Sequence, residues 1–195
     1  MHNNIRERFK HFSGRRVSSE NLNQIQIDLL EESTLDSSYI VLIVGSCLIA
    51  TFGLLTNSAA VIIGAMIIAP LMLPIRALAF GALKGNIVLF RKGLIAVIVG
   101  TFMAVLLAWF LGSLVRLPEL GSEVVSRSKP TLLDLGIAVT AGGISGFAKV
   151  QPKISGTLAG TAIAVALMPP ICVVGLGISL SLSYIMNIFH LKIFT

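Results

Sequence analysis

The sequence predicts an all-α membrane protein: about five transmembrane helices plus a shortened sixth, with two of the helices broken by proline. Three observations carry that prediction. The first is composition: 55% of the residues are hydrophobic, only 12% are charged, and the mean hydropathy is +0.91. A soluble domain carries roughly twice that charged fraction to solvate its surface. The second is the run Asn57 to Ile75, NSAAVIIGAMIIAPLMLPI, long enough to cross a bilayer yet holding Pro70 and Pro74. The third is a diluted copy of that run 96 positions later, GAMIIAPLMLPI from Gly64 against GTAIAVALMPPI from Gly160. Identities fall at Gly64/Gly160, Ile67/Ile163, Leu71/Leu167, Met72/Met168, Pro74/Pro170 and Ile75/Ile171.

Along the chain, Met1 to Arg16 is polar and basic, and Ser19 to Ser33 reads as an amphipathic helix with Leu22, Ile25, Leu29 and Leu30 on one stripe. That helix is expected to lie on the inner membrane surface or to cap the bundle. Residues 1–38 thus form a cytosolic basic segment, 39–180 a polytopic membrane domain and 181–195 a shortened C-terminal segment. The membrane segments are Tyr39 to Leu55, Ser58 to Gly81, Gly93 to Val115, Leu132 to Phe147 and Ser155 to Leu180. The second is interrupted at Pro70 and Pro74 and the fifth at Pro169 and Pro170. No apolar leader heads Met1 to Ser38, so no secretory signal is expected.

Charge sets the orientation. With the N-terminus inside, Arg6, Arg8, Lys10, Arg15, Arg16, Lys84, Arg91, Lys92, Lys149 and Lys153 face the cytosol. Only Arg116, Arg127, Lys129 and Lys192 then lie outside, as the positive-inside rule requires. The net charge of +6 is therefore a topology signal, and no nucleic-acid partner is expected. The second and fifth segments lie three crossings apart and run oppositely, which makes the copy an inverted-topology repeat, the design of many secondary transporters.

Proline lacks an N–H and frees the carbonyl four residues back. On a continuous helix Pro70 and Pro74 release the carbonyls of Met66 and Pro70, and Pro169 and Pro170 those of Val165 and Ala166. Such backbone in lipid must be buried in protein or line a wet cavity, which points to a solute or ion site between the two breaks. A kink resatisfied by neighbouring helices is the plainer reading. Arg76 either snorkels, roughly 27 Å along the helix from Ser58, or faces the cavity and holds an anion. Asp134, in a first helical turn, either complements the helix dipole or serves a proton or cation. Asn57 and Ser58 either cap the second helix or coordinate solute.

Gly136, Gly142, Gly143 and Gly146, with the pair Gly156 and Gly160, mark close helix contacts and point to a homo-oligomer. Cys47 and Cys172 sit singly in apolar runs and read as packing residues. Gly143-Ile144-Ser145-Gly146 is the G-x-S-G of intramembrane serine proteases, but its base would have to be His190, beside Lys192 near the end of the chain. No phosphate loop, metal cluster or catalytic carboxylate pair is present, so neither enzymatic activity nor a cofactor is expected.

Three stretches together, NSAAVIIGAMIIAPLMLPI, RSKPTLLDLGIAVTAGGISGFA from Arg127 and LAGTAIAVALMPPICVVGLG from Leu158, resemble the domain of unknown function numbered 389. That is a family of hydrophobic bacterial and archaeal membrane proteins, and the resemblance runs from about Leu29 to Gly177. It implies a polytopic inner-membrane protein of transporter type, with no assigned substrate and no site residues to carry over. Similar proteins continue with another long apolar segment, so Ser181 to Thr195 reads as a shortened sixth helix. The expected function is translocation of a small solute or ion; the alternative is a non-transporting assembly, sensor or anchor protein.

Overall fold

The computed structural model describes residues 19–115, 121–150 and 167–193, and among them lie eight helices and no strand. They are α1 (Ser19–Glu32), α2 (Ser37–Leu55), α3 (Ala59–Ile68), α4 (Met72–Lys84), α5 (Ile87–Leu114), α6 (Ser122–Arg127), α7 (Leu132–Val150) and α8 (Met168–Ile193). Two of the described helices, α2 and α5, are long and apolar enough to cross a membrane, and the bent pair α3–α4 makes a third if counted as one span. Leu132–Gly146 and Met168–Ser181 are apolar but shorter, so two or three of the five expected spans are found among the described residues.

The amphipathic α1 caps the bundle: Leu29 is buried with Ala77 and Leu89, and Ile25, Leu30 and Phe80 close around them. Helix α2 begins where the Asp36 carboxylate accepts the Tyr39 N–H at 2.7 Å, which satisfies one of the unpartnered first-turn amides. Next, α3 and α4 meet at an angle of 51°. The break is where the proline spacing puts it. Ala69 is extended, with ψ at 122°, its N–H still reaches Ala65 at 3.1 Å, and Pro70 then has no N–H to offer the Met66 carbonyl.

The expected release at Pro74 does not occur. Pro74 is the third residue of α4, inside a first turn whose amides have no intrahelical partner, so it removes no ladder bond. The Pro70 carbonyl is engaged instead by the Leu73 N–H at 3.2 Å. Pro169 and Pro170 are likewise the second and third residues of α8, within its first turn. Val165 and Ala166 lie outside the described residues.

Two boundaries differ from expectation. Helix α4 closes on Gly85 in the left-handed conformation at φ 66°, and the Asn86 side chain accepts the Leu89 N–H at 3.1 Å to start α5 immediately. The third segment therefore begins at Ile87, and Arg91 and Lys92 are helical rather than in a loop. Helix α8 continues through Tyr184 to Ile193, so that stretch extends the fifth segment and is not a separate short one; nothing after Pro170 removes an amide from the ladder.

Helix α5 is the axis of the fold. Gly93, Ala96, Gly100, Ala104, Ala108 and Gly112 form one buried stripe along it, at steps of three or four residues. A Cβ placed on Gly93 would stand 2.6 Å from the Pro74 carbonyl and 2.8 Å from the Leu78 nitrogen, while one on Gly175 would stand 2.6 Å from the Val105 carbonyl. The partners of the stripe fix direction. Gly93 faces Pro74 and Gly81 faces Phe90, so α4 runs antiparallel to α5; Gly175 faces Ala108 and Gly112 faces Ser179, so α8 runs parallel to it. The small residues expected to mediate contact behave differently. Gly136, Gly142, Gly143 and Gly146 of α7 have nothing within 4 Å among the described residues, and Gly156 and Gly160 lie outside them.

Candidate functional site: two helix starts and an arginine–serine contact

The two copies of the repeat start helices at equivalent positions, Met72 for α4 and Met168 for α8. Both starts lie level with the middle of α5. Leu71 lies against Gly100, which stands 13 residues after Ile87 and 14 before Leu114, roughly 20 Å from each end. One turn further along α5, the Ala104 carbonyl accepts from the Cys47 thiol at 3.2 Å, and Cys47 in turn lies 3.7 Å from Cys172. Met168 is one turn before Cys172, which returns it to the level of Gly100. Two helix N-termini of opposite direction thus lie at the same mid-bundle level along α5, each presenting roughly half a positive charge.

Their surroundings are mostly apolar. Met66, Ala69, Leu71, Met168, Cys172 and Leu176 are buried in one cluster. Polar groups border it: the Tyr39 hydroxyl donates to the Ala96 carbonyl at 2.8 Å beside Gly100, and Ser46 and Thr51 are buried on α2. Pro70 and Pro169 are buried and Pro170 is exposed. Of the sequence-predicted residues, Met66 belongs to this cluster, and the buried Pro70 and Pro169 adjoin its members Ala69, Leu71 and Met168 in sequence, while Pro74 lies against Gly93.

Arg76 lies four residues into α4, about 6 Å along the helix from its start. Its Nε donates to Ser145 Oγ of α7 at 2.6 Å, and Ser145 is only 3% exposed. The serine of the G-x-S-G motif is therefore held by a guanidinium, which accepts no proton and serves as no base. From Leu132 to Thr140 every residue of the same helix α7 is exposed. A fixed cation at the edge of the helix starts is chemically suited to hold a carboxylate or an oxyanion.

The remaining predicted residues stand elsewhere. Asp134 is exposed at the other end of α7, where its carboxylate accepts from both the Thr131 N–H (2.7 Å) and hydroxyl (2.8 Å) in a capping box. Ser58 occupies the N-cap of α3 without a side-chain bond. Asn57 does not cap α3: with φ at 54° it reaches across to α6, accepting the Glu123 N–H at 2.9 Å and the Ser122 hydroxyl at 3.2 Å. Replacing Asn57 by glycine keeps the left-handed backbone and removes the cap, and is expected to cost about 1 kcal/mol. Faster hydrogen exchange at the Glu123 amide, with α2 and α5 unchanged, is the readout.

Sequence reasoning missed the stripe on α5, although its spacing of small residues was available to be read. It had no signal for the Tyr39–Ala96, Arg76–Ser145 or Cys47–Cys172 contacts, which join residues 57, 69 and 125 positions apart.

Among the described residues this architecture is all-helical, with two helices, or three spans if the bent pair counts as one, long and apolar enough to cross a membrane. A family model described as a domain of unknown function (DUF389) matches residues 66–193, and the chain belongs to that family. Over 161 residues it is 28% identical to an uncharacterized protein of Methanocaldococcus jannaschii, covering 83% of this chain and 49% of that protein. The chain therefore spans about half the length of this relative. No solved structure matches it.

Proposed function

We propose that the chain sits in the inner membrane with its N-terminus in the cytosol and carries a small anionic solute or ion across by alternating access. The observation that carries this reading is the shared level at which α4 and α8 start. Repeat-related helices start 96 residues apart, run oppositely along α5 and bring their positive ends to the same mid-bundle level. Half-helix N-termini at mid-membrane are where secondary transporters hold anionic groups. Arg76 adds a full charge beside them. Lys84, Arg91 and Lys92 cluster at the end capped by α1, which under the positive-inside rule is the cytosolic end. In this reading the five expected segments all cross the bilayer, and the exposed face of α7 packs against a second copy.

The test is flux of a panel of small carboxylates and inorganic oxyanions into proteoliposomes. At least one is expected to enter faster than into empty liposomes. Pro70→Ala, which restores an N–H for Met66 and straightens the break, is expected to slow it at least tenfold. Equal entry into loaded and empty liposomes for the whole panel would overturn the proposal. A second reading, a non-transporting assembly, sensor or anchor protein, is favoured by the apolar character of the cluster around Met66, Leu71 and Met168. That outcome corresponds to liposomes that stay tight.

A further inference from the structure

We propose that Cys47 and Cys172 form a binding site for a soft monovalent metal ion of the copper(I) or silver(I) type, with the Met168 thioether as third ligand. Both cysteines are free and fully buried, on α2 and α8 respectively, and they are the chain's only two. Their sulfurs lie 3.7 Å apart. Sulfurs bound to one ion at about 2.3 Å are about 3.8 Å apart in tetrahedral and about 4.0 Å apart in trigonal geometry. The pair thus reaches either arrangement by moving a few tenths of an ångström. A disulfide would need the sulfurs to close to about 2.05 Å, a far larger shift.

The neighbourhood selects the ion. Met168 is buried one turn before Cys172 on α8 and therefore shares its face, and Met66 is buried in the same cluster. Thiolate and thioether donors without carboxylate or carbonyl oxygen select soft cations over calcium or magnesium, and two thiolates with one thioether fall short of the four donors a structural zinc takes. No group of three His, Cys, Asp or Glu residues stands ready for a harder ion among the described residues.

Charge also balances. Binding releases two thiol protons, leaving two thiolates around one monovalent ion with a net charge of −1. The starts of α4 and α8 lie one turn away along α5 and supply roughly half a positive charge each, which offsets it. The site is thus built where a bare thiolate pair would be costly and a metal-bridged pair is not. It tethers α2 to α8 at mid-bundle, and metal retention reads it out without any measurement of flux.

The full chain, purified in detergent under anaerobic reducing conditions, is titrated with copper(I) against a colorimetric copper(I) chelator. One copper per chain is expected to be retained, with sulfur scatterers at about 2.3 Å in X-ray absorption. Cys47→Ser and Cys172→Ser each weaken retention at least a hundredfold, and Met168→Leu weakens it about tenfold. Undiminished retention by the double serine variant, or none by the wild type, overturns the proposal. A readout that needs no variant keeps the test decisive if substitution disturbs folding. Copper(I) should protect both wild-type thiols from maleimide while the native protein is held partly opened by mild denaturant; equal labelling with and without copper also overturns it.

Discussion

Gly93→Leu is expected to push α4 off α5 and to remove about 3 kcal/mol of stability or more, the upper end of what overpacking costs. At Gly93 the obstacle is backbone: even a Cβ would stand 2.6 Å from the Pro74 carbonyl and 2.8 Å from the Leu78 nitrogen. A flexible side chain can rotate out of the way, whereas the first turn of a helix cannot. The displaced α4 would also lose the contact of Ala77 with Leu29 and Leu89, so α1 should loosen with it. Thermal unfolding in detergent checks this, with Gly45→Leu as the control, since Gly45 has nothing within 4 Å among the described residues. Equal midpoints for the two variants would contradict the packing described for α4 and α5.

Arg76→Ala is expected to reduce anion flux ten- to hundredfold. A hydrogen bond to a charged group contributes about 1.5–3 kcal/mol, and each factor of ten corresponds to about 1.4 kcal/mol. Arg76→Lys should recover part of the rate, because an ammonium keeps the charge and loses the planar fork that pairs with a carboxylate. Ser145→Ala, which removes the acceptor 2.6 Å from Nε, should change apparent affinity more than maximal rate if the serine aims the guanidinium. The measurement is initial uptake against substrate concentration, with variants matched to wild type by gel-filtration profile. Three variants indistinguishable from wild type would reduce Arg76 to a snorkelling residue at the bundle's edge.

Most of the helices could be read from hydropathy, because an apolar run of sufficient length has few other fates. The break at Pro70 was equally legible. What sequence could not separate was a proline inside a helix from one in a first turn. Pro74, Pro169 and Pro170 look alike on paper, yet each stands where no amide is needed. Residues 184–193, set apart from the fifth segment on hydropathy, continue α8. Arg91 and Lys92 misled in the same way: charge suggested a loop, but Asn86 caps the helix ahead of them. The glycines of α7 show that small residues permit close approach without requiring it. Arg76 was singled out from sequence; its partner Ser145 was noticed for another chemistry altogether.

The stripe from Gly93 to Gly112 has a mechanical consequence. Glycine and alanine have no rotamers to rearrange and raise no knobs for a neighbour to lock behind. A helix shifting along such a track is resisted chiefly by dispersion, while the Tyr39–Ala96 hydrogen bond holds α2, not α4 or α8, to it. Lower friction along that track than across it would make axial travel of α4 and α8 the cheapest large motion open to this bundle.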